Sequence, residues 1–267
     1  MSHDWSSTRL EAERDAMQVL TDLQGKRWLF RGQSRWHGGL VPSIDRDPLH
    51  QLSRAKKLAL ERRSIDIFRS TARFFAHPGE QVALTDDVVA LLVLRHYCVQ
   101  TRILDWSQSP WVAAYFATLD HDSEDGEIWT FDEPLYERKG ADQWKKWPET
   151  TTDHTGDADK FAAGLTAFTI DDPPDWFICV FYPPGFHRQN AQQSAYTMTA
   201  RFGCPHDDHI AKLLVEPTQY RRYVIPAKLK PALRDILREQ HGVWRGSLFP
   251  DSPGAADMAR EVFRDGG

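Results

Sequence analysis

Long hydrophobic runs, an excess of positive charge and paired cysteines are all missing from this sequence. The longest apolar run, residues 88–94, is far too short for a bilayer-spanning helix, which needs about 20 apolar residues. The first residues do not combine a basic region with an apolar one, as a secretory signal does. We therefore expect a cytoplasmic protein that does not associate with the membrane.

The cysteines are too few and too scattered to build a disulfide framework. Cys98, Cys179 and Cys204 are odd in number, and no two of them form a Cys-x-x-Cys pair. Residues 204–209 combine one cysteine with two histidines and two aspartates, so a metal site is conceivable there. Polar loops of this composition are common and further ligands are not evident, so no metal is expected.

The charge balance argues against broad, non-specific binding of duplex DNA. The chain has 33 Lys and Arg against 38 Asp and Glu, a net charge of −5, whereas such binding depends on neutralising many phosphates. Hydrophobic residues at 41% and charged residues at 27% are typical of a globular protein and argue against a disordered or fibrous one. Ten tryptophans are many for 267 residues, and they suit a packed core or stacking on ligand rings.

Hydrophobic periodicity predicts an α+β fold, with residues 1–267 in a single compact domain. Helices are predicted over residues 7–24, 53–77, 86–96, a segment that begins at Ser109-Pro110, 229–240 and 254–264. Strands are predicted over residues 27–30, 127–131, 176–182, 194–199, 212–215 and 220–225. Residues 133–175 are rich in polar residues and proline and are predicted to be an insertion or a flexible connection.

Arg31 follows the first predicted strand and precedes Gly32. A guanidinium at a strand end can present its five-donor fork to a phosphate or carboxylate, and a glycine beside it lets a ligand approach the backbone. A surface arginine in a turn fits the same pattern.

A denser group of polar and aromatic residues lies within residues 95–106. Its members are Arg95, His96, Tyr97, Thr101, Arg102, Asp105 and Trp106. Two cations near an imidazole, a carboxylate, a hydroxyl and two aromatic faces could hold an anionic ligand that contains a ring. A structural interpretation fits equally well. A charged His96 would interact favourably with the dipole at the helix C-terminus, and Asp105 would form a salt bridge with Arg102.

Four motifs, in this order, resemble the FRG domain family, which is named for Phe-Arg-Gly. Residues 30–33 read Phe-Arg-Gly-Gln and residues 40–43 read Leu-Val-Pro-Ser. Residues 96–106 resemble the signature His-x-Gly-x-x-Thr-Arg-Leu-Leu-Asp-Trp, which residues 110–117 continue. Residues 188–197 and 225–251 resemble the later segments of the family. The resemblance spans residues 28–260, with Cys98 and Ser194 where the family has glycines.

A more distant similarity is to ADP-ribosyltransferases of the Arg-Ser-Glu type. It implies a split mixed or antiparallel sheet flanked by helices, with Arg31 on NAD phosphate or ribose and residues 101–107 shaping a nicotinamide pocket. In those enzymes a glutamate on a late strand stabilises an oxocarbenium-like transition state. The strand over residues 220–226 has Arg222 at about that place, so Asp105 is the best candidate anion and Glu216 is its rival.

These resemblances imply a protein that binds NAD or a related nucleotide and acts as an ADP-ribosyltransferase or NAD glycohydrolase. NAD would be the substrate and a protein or nucleic acid the acceptor, as in a bacterial toxin or a phage-defence effector. The expected catalytic residues are Asp105, His96 and Glu216. The expected ligand contacts are Arg31, Gln33, Tyr97, Thr101, Arg102, Trp106 and Gln193.

Two alternatives remain open at this point. A non-enzymatic module could sense a nucleotide or bind a partner protein through the same pocket, and the missing late-strand glutamate favours it. A metal-assisted nuclease that uses His96 and Asp105 is a weaker alternative, because no paired-carboxylate motif is present.

Overall fold

A computed structural model describes residues 5–74, 76–144, 171–173, 175–180 and 187–265. Its strands are β1 (Ser7–Arg9), β2 (Leu29–Gln33), β3 (Ile103–Ser107), β4 (Gly126–Phe131), β5 (Phe177–Val180), β6 (Ser194–Thr199) and β7 (Tyr220–Ile225). They form one mixed sheet in the order β1-β7-β4-β2-β3-β6-β5. Strands β1 and β7 are parallel, and the other neighbouring pairs are antiparallel. The fold is therefore α+β, as predicted, and strands from both halves of the chain share one sheet.

Helices flank this sheet. They are α1 (Glu13–Leu23), α2 (Arg54–Ala72), α3 (Asp87–His96), α4 (Pro110–Thr118), α5 (Glu133–Trp144), α6 (His187–Ala191), α7 (His206–Leu213), α8 (Lys230–His241), α9 (Arg245–Leu248) and α10 (Ser252–Asp265). Short 3-10 turns occur at Ser43–Asp45, Leu49–Gln51, Pro78–Leu84 and Ala227–Leu229. No helix in the described ranges is both long and apolar enough to cross a bilayer.

Capping residues account for where the helices nearest the site begin. The Asp86 carboxylate accepts a hydrogen bond from the Val89 amide at 2.8 Å, so it caps α3. Ser109 caps α4 in the same way, and Pro110 occupies the first turn, where its missing N–H costs nothing. Both starts agree with the helices predicted from residue 86 and from Ser109-Pro110. The body of α3 is buried on all sides, which explains its continuous run of apolar residues.

The two faces of the sheet carry separate cores, because side chains alternate along each strand. On one face Phe30 and Ile128 pack against α1, α4 and α8, while Ile103 and Met198 pack against α3. The opposite face carries a third core, which includes Trp129 and residues of α5 and α7. The sheet is thus covered on both sides.

Gly32 has a different role from the one its position suggested. A Cβ atom at Gly32 would lie 1.9 Å from the backbone oxygen of Ala113, and one at Gly126 would lie 2.1 Å from that of Ala117. Helix α4 therefore lies directly on the backbones of β2 and β4. Helix α4 fills the space that a Cβ would need, so helix packing by itself requires a glycine here, and Gly32 also lines the cavity described below.

Other predicted elements also need correction. Residues 7–9 form strand β1, and the first helix begins only at Glu13. Residues 212–215 were predicted as a strand, but Lys212 and Leu213 end helix α7, which buries Ile210 against the sheet. The predicted insertion begins with helix α5; residues 145–170 and 174, within that insertion, and the end of the predicted strand 176–182 lie outside the described residues.

Candidate functional site

A cavity of about 240 Å³ opens at the boundary between β2 and β3. These strands share a single pair of residues in register, Phe30 with Ser107, whereas β2 and β4 share five. The polar residues that line the cavity are Arg31, Arg95, His96, Asp105, Ser107 and Gln192. The apolar residues are chiefly Phe30, Trp106, Ala113, Phe116, Leu119 and Phe249.

Two arginines from separate elements contact one aspartate at this boundary, and a third lies close enough for its charge to lower the pKa of Arg31. Arg31 lies in the middle of β2, Arg95 in the last turn of α3, and Arg46 just after the turn Ser43–Asp45. Arg95 Nε donates to Asp105 Oδ2 at 2.5 Å, and Arg31 Nη1 donates to the backbone oxygen of Asp105 at 2.5 Å. Arg31 Nη1 also lies 4.0 Å from Asp105 Oδ2. We call Arg31, Arg46, Arg95 and Asp105 the arginine cluster.

Positive charge exceeds negative charge in the arginine cluster. The pKa of Arg31 falls from 12.5 to about 9, mainly because the side chain is buried and also because Arg95 and Arg46 carry the same charge. The opposite charge of Asp105 raises the pKa, but by less than these effects lower it. Burial and the neighbouring Arg95 and Arg35 likewise lower the pKa of Arg46 to about 10. Both guanidiniums stay protonated at neutral pH, so their environment is short of an anion.

Hydrogen bonding in the cluster is also incomplete. Among the described residues, the buried Arg31 Nε and Arg46 Nη2 find no hydrogen-bond acceptor. Buried donors nearly always have a partner, and leaving one unpaired costs about 1–3 kcal/mol. The same arrangement therefore lacks both an anion and an acceptor, and an oxyanion bound beside the cluster would supply the missing charge.

Asp105 is the anion of this site. Burial alone would raise its pKa, but Arg95, His96 and Arg31 together hold the pKa below its usual value. The carboxylate is therefore ionised at neutral pH. Its Oδ2 accepts from Arg95, while its buried Oδ1 has no hydrogen-bond partner among the described residues.

His96 lines the cavity as a neutral imidazole. Its Nε2 lies 2.6 Å from the hydroxyl of Tyr196. Burial, aided by the charges of Arg95 and Arg188, lowers the pKa of His96 to about 4 and outweighs the attraction of Asp105. The favourable interaction of a charged histidine with a helix C-terminus, expected from the sequence, does not operate here at neutral pH.

Arg102 and Thr101 do not join the cavity lining. The Arg102 guanidinium is fully buried and donates to both carboxylate oxygens of Glu61, at 2.6–3.2 Å. The predicted ligand contact at Arg102 is therefore replaced by a buried ion pair that ties β3 to α2. The Thr101 amide donates to Ser43 Oγ at 3.1 Å, which anchors the turn that leads to Arg46.

Of the two aromatic candidates, Trp106 lines the cavity and Tyr97 does not. Trp106 lines the cavity, but its Nε1 donates to Thr197 Oγ1 at 2.8 Å, on the opposite face of the sheet. Tyr97 lies at the surface with 43% of its area exposed, and its hydroxyl donates to Glu80 at 2.8 Å.

The remaining predicted site residues lie outside the cavity lining. Gln33 is buried on β2, and Gln193 is exposed, with φ at 48°; its neighbour Gln192 lines the cavity in its place. Glu216 is exposed in the segment before β7 and does not reach the arginine cluster.

Arg46 and Phe249 were missed by reasoning from the sequence. Arg46 comes three residues after the Leu-Val-Pro-Ser motif, and this proximity is the one feature of the local sequence that could have indicated it. Phe249 comes from the far end of the chain, next to Pro250 and Asp251 of the last motif. Arg95 was part of the dense group but was not singled out, although it makes the shortest contact with the Asp105 carboxylate.

Residues 26–126 match the model of a family described as the FRG domain. This segment contains the whole arginine cluster, whereas Gln192 and Phe249 lie beyond it. No curated protein and no solved structure matches the chain.

Proposed function

This chain contains an FRG domain in residues 26–126, and we propose that the domain binds a nucleotide whose phosphate lies on Arg31 and Arg95, with the charge of Arg46 nearby. The observation that carries this proposal is the surplus of buried guanidinium groups over carboxylates. Two of their donors have no acceptor within the described residues. A phosphate offers several anionic oxygens to such donors, and planar guanidiniums suit it well.

The apolar side of the cavity supports a ligand that also carries a ring. Phe30, Phe116 and Phe249 line it opposite the polar residues. Aromatic side chains bind planar rings by stacking or edge contacts. The cavity, at about 240 Å³, lies just below the ~300–1,000 Å³ of most ligand pockets. It therefore suits one nucleotide half of a dinucleotide such as NAD better than the whole.

Cleavage of the bond between nicotinamide and ribose is the reaction that this site would support. Nicotinamide would leave with the electron pair of the glycosidic bond, and positive charge would develop on the ribose. The ionised Asp105 lines the cavity, and an anion next to the ribose would stabilise that charge. Water would complete a glycohydrolase reaction, and a protein or nucleic-acid nucleophile would complete a transfer.

A non-enzymatic sensing module is the second candidate, and one observation favours it. Arg95 and Arg31 already compensate the charge of Asp105. No other carboxylate lines the cavity in the described part of the chain. Such a site could bind the phosphate firmly and leave the glycosidic bond intact.

Calorimetric titration with NAD, ADP-ribose, AMP, adenosine and inorganic phosphate tests the binding proposal. We expect the phosphorylated ligands to bind and adenosine not to bind. Arg31→Met should raise the dissociation constant about 30-fold or more, because losing one partner of a buried charge pair costs at least ~2 kcal/mol. Arg14→Met is the control, since that side chain is 89% exposed. Equal binding of adenosine, or an equal effect of both variants, would overturn the proposal.

Release of nicotinamide from NAD, followed by chromatography, separates the two candidates. Turnover by the wild type and a roughly 10²–10³-fold loss of kcat in Asp105→Asn would support the enzyme. Tight binding of NAD without any nicotinamide release would support the sensing module.

A further inference from the structure

A second cluster of reactive side chains lies away from the arginine cluster. It consists of Asp175, just before β5, Cys204, in the segment that precedes α7, and His209 on α7. One ligand atom from each residue lies within 4.8 Å of the other two. None of the three lines the nucleotide cavity. We propose that these residues bind a divalent cation of the zinc class, independently of the nucleotide site.

The spacing of two of the ligands is already that of a bound metal. His209 Nε2 and Asp175 Oδ1 are 3.4 Å apart. Zinc bonds of ~2.0–2.1 Å at a tetrahedral angle place a nitrogen and an oxygen ligand about 3.3 Å apart. The sulfur of Cys204 lies within 4.8 Å of both atoms, and it needs to approach by at most roughly 1.2 Å, because the longer ~2.3 Å zinc–sulfur bond puts it about 3.6 Å from them.

The surroundings hold His209 in place and leave a route for the ion. His209 is 5% exposed, and its ring stacks on Phe177 with centroids 5.5 Å apart. Asp175 lies at the surface with 42% of its side chain exposed, so an ion can enter from that side. A fixed imidazole and an accessible carboxylate are what a loadable site requires.

Lys212 is the competitor for this site. Its ammonium lies 2.6 Å from Asp175 Oδ2, on the carboxylate oxygen that does not face His209. The Lys212 side chain is 50% exposed and can move into solvent at little cost. The positive charge of Lys212 would repel a metal ion bound to Asp175 Oδ1. This lysine should therefore weaken metal binding without preventing it.

The mixture of one sulfur, one nitrogen and one oxygen ligand indicates which metal would bind. Hard cations such as Mg²⁺ and Ca²⁺ prefer oxygen alone, whereas Zn²⁺ accepts all three atoms. Coordination would release the Cys204 proton to solvent, since the thiolate is the ligand. Three protein ligands leave a fourth tetrahedral position for water, as in open zinc sites.

Titration of the full chain with Co²⁺, a spectroscopic substitute for zinc, tests this site. We expect a stoichiometric thiolate-to-cobalt charge-transfer band that one equivalent of Zn²⁺ abolishes. Cys204→Ser should remove the band, and His209→Gln should weaken Co²⁺ binding by at least the ~10–100-fold typical of an outer-shell partner. Cys98→Ser is the control, because Cys98 is exposed and is not part of the cluster.

Lys212→Gln should change the affinity for Co²⁺ in the opposite direction. Removing the competing ammonium should tighten Co²⁺ binding about two- to fivefold, as expected for an exposed ion pair. Wild-type protein without a band, or a band that survives in Cys204→Ser, would overturn the proposal. A melting curve on each variant confirms that a lost band does not come from unfolding, and NAD titration of Cys204→Ser should give the wild-type result.

Discussion

Replacing Arg31 with methionine tests whether its guanidinium is held in the fold at a cost. Arg31 is 7% exposed, and its pKa falls from 12.5 to about 9 mainly because of burial and the nearby charge of Arg95. A fall of this size corresponds to about 5 kcal/mol of unfavourable environment for the charged form, at 1.36 kcal/mol per unit. Methionine has an unbranched apolar side chain and removes this charge.

Losses offset part of that gain. The methionine variant gives up the hydrogen bond from Arg31 to the backbone oxygen of Asp105, and an unpaired buried carbonyl costs about 1–3 kcal/mol. It also gives up the weak 4.0 Å attraction to the Asp105 carboxylate. We expect Arg31→Met to raise the free energy of unfolding by about 1–3 kcal/mol, which is what these losses leave of the gain of about 5 kcal/mol.

Arg102→Met is the matched control, because it makes the same substitution at a second buried arginine. The side chains of Arg102 and Glu61 are both fully buried and lie 2.6 Å apart. Removing Arg102 leaves the Glu61 carboxylate buried without its cation, which costs about 3–5 kcal/mol. The two variants should therefore shift stability in opposite directions.

Urea denaturation, with the midpoint and the slope m fitted for each variant, measures both shifts. Added phosphate or NAD should raise the midpoint of the wild type and leave that of Arg31→Met unchanged, because only the wild type binds the anion well. If Arg31→Met lost 2 kcal/mol or more, as a paired arginine would, the inference of an anion-deficient cluster would be wrong.

Three further outcomes follow from the structure. The unfolded chain protonates His96 below pH 6.5, whereas the folded protein keeps it neutral down to about pH 4. As the pH falls from 6.5 to 4, the wild type should therefore lose about 3 kcal/mol more stability than His96→Gln, as pH-dependent urea melts will show. Gly32→Ala should destabilise the fold by about 3 kcal/mol or more, since its Cβ would lie 1.9 Å from the Ala113 oxygen, and a wild-type melting curve would contradict this. Glu216→Gln should change the free energy of unfolding by less than about 0.5 kcal/mol and leave NAD binding unaltered, because Glu216 is exposed and does not line the cavity. A lower affinity for NAD in calorimetry would show that Glu216 belongs to the binding site.

Several features of the site could be predicted from the sequence because their signals are local. The caps at Asp86 and Ser109, and the continuous apolar body of α3, depend on residues a few positions apart. The motifs also pointed to Arg31, His96 and Asp105 as candidates, and all three line one cavity.

Partners of those residues could not be predicted in this way. Asp105 was expected to pair with Arg102 or to serve as the catalytic anion, but Arg95 holds it at 2.5 Å and Arg102 pairs with Glu61. The wrong strand prediction at residues 212–215 has a similar origin, since packing of Ile210 against the sheet overrides the local preference.

The sequence by itself determined which segments become helices at the site and which side chains carry its charge, because capping and hydrophobic periodicity act between neighbours in the chain. The order of the strands in the sheet decided which of these charged side chains meet. That order places β2 beside β3 with one pair in register, so that Arg31 and Asp105 meet although 73 residues lie between them. Whether a buried arginine is paired or short of an anion depends on distances in three dimensions, and only the tertiary structure sets those distances.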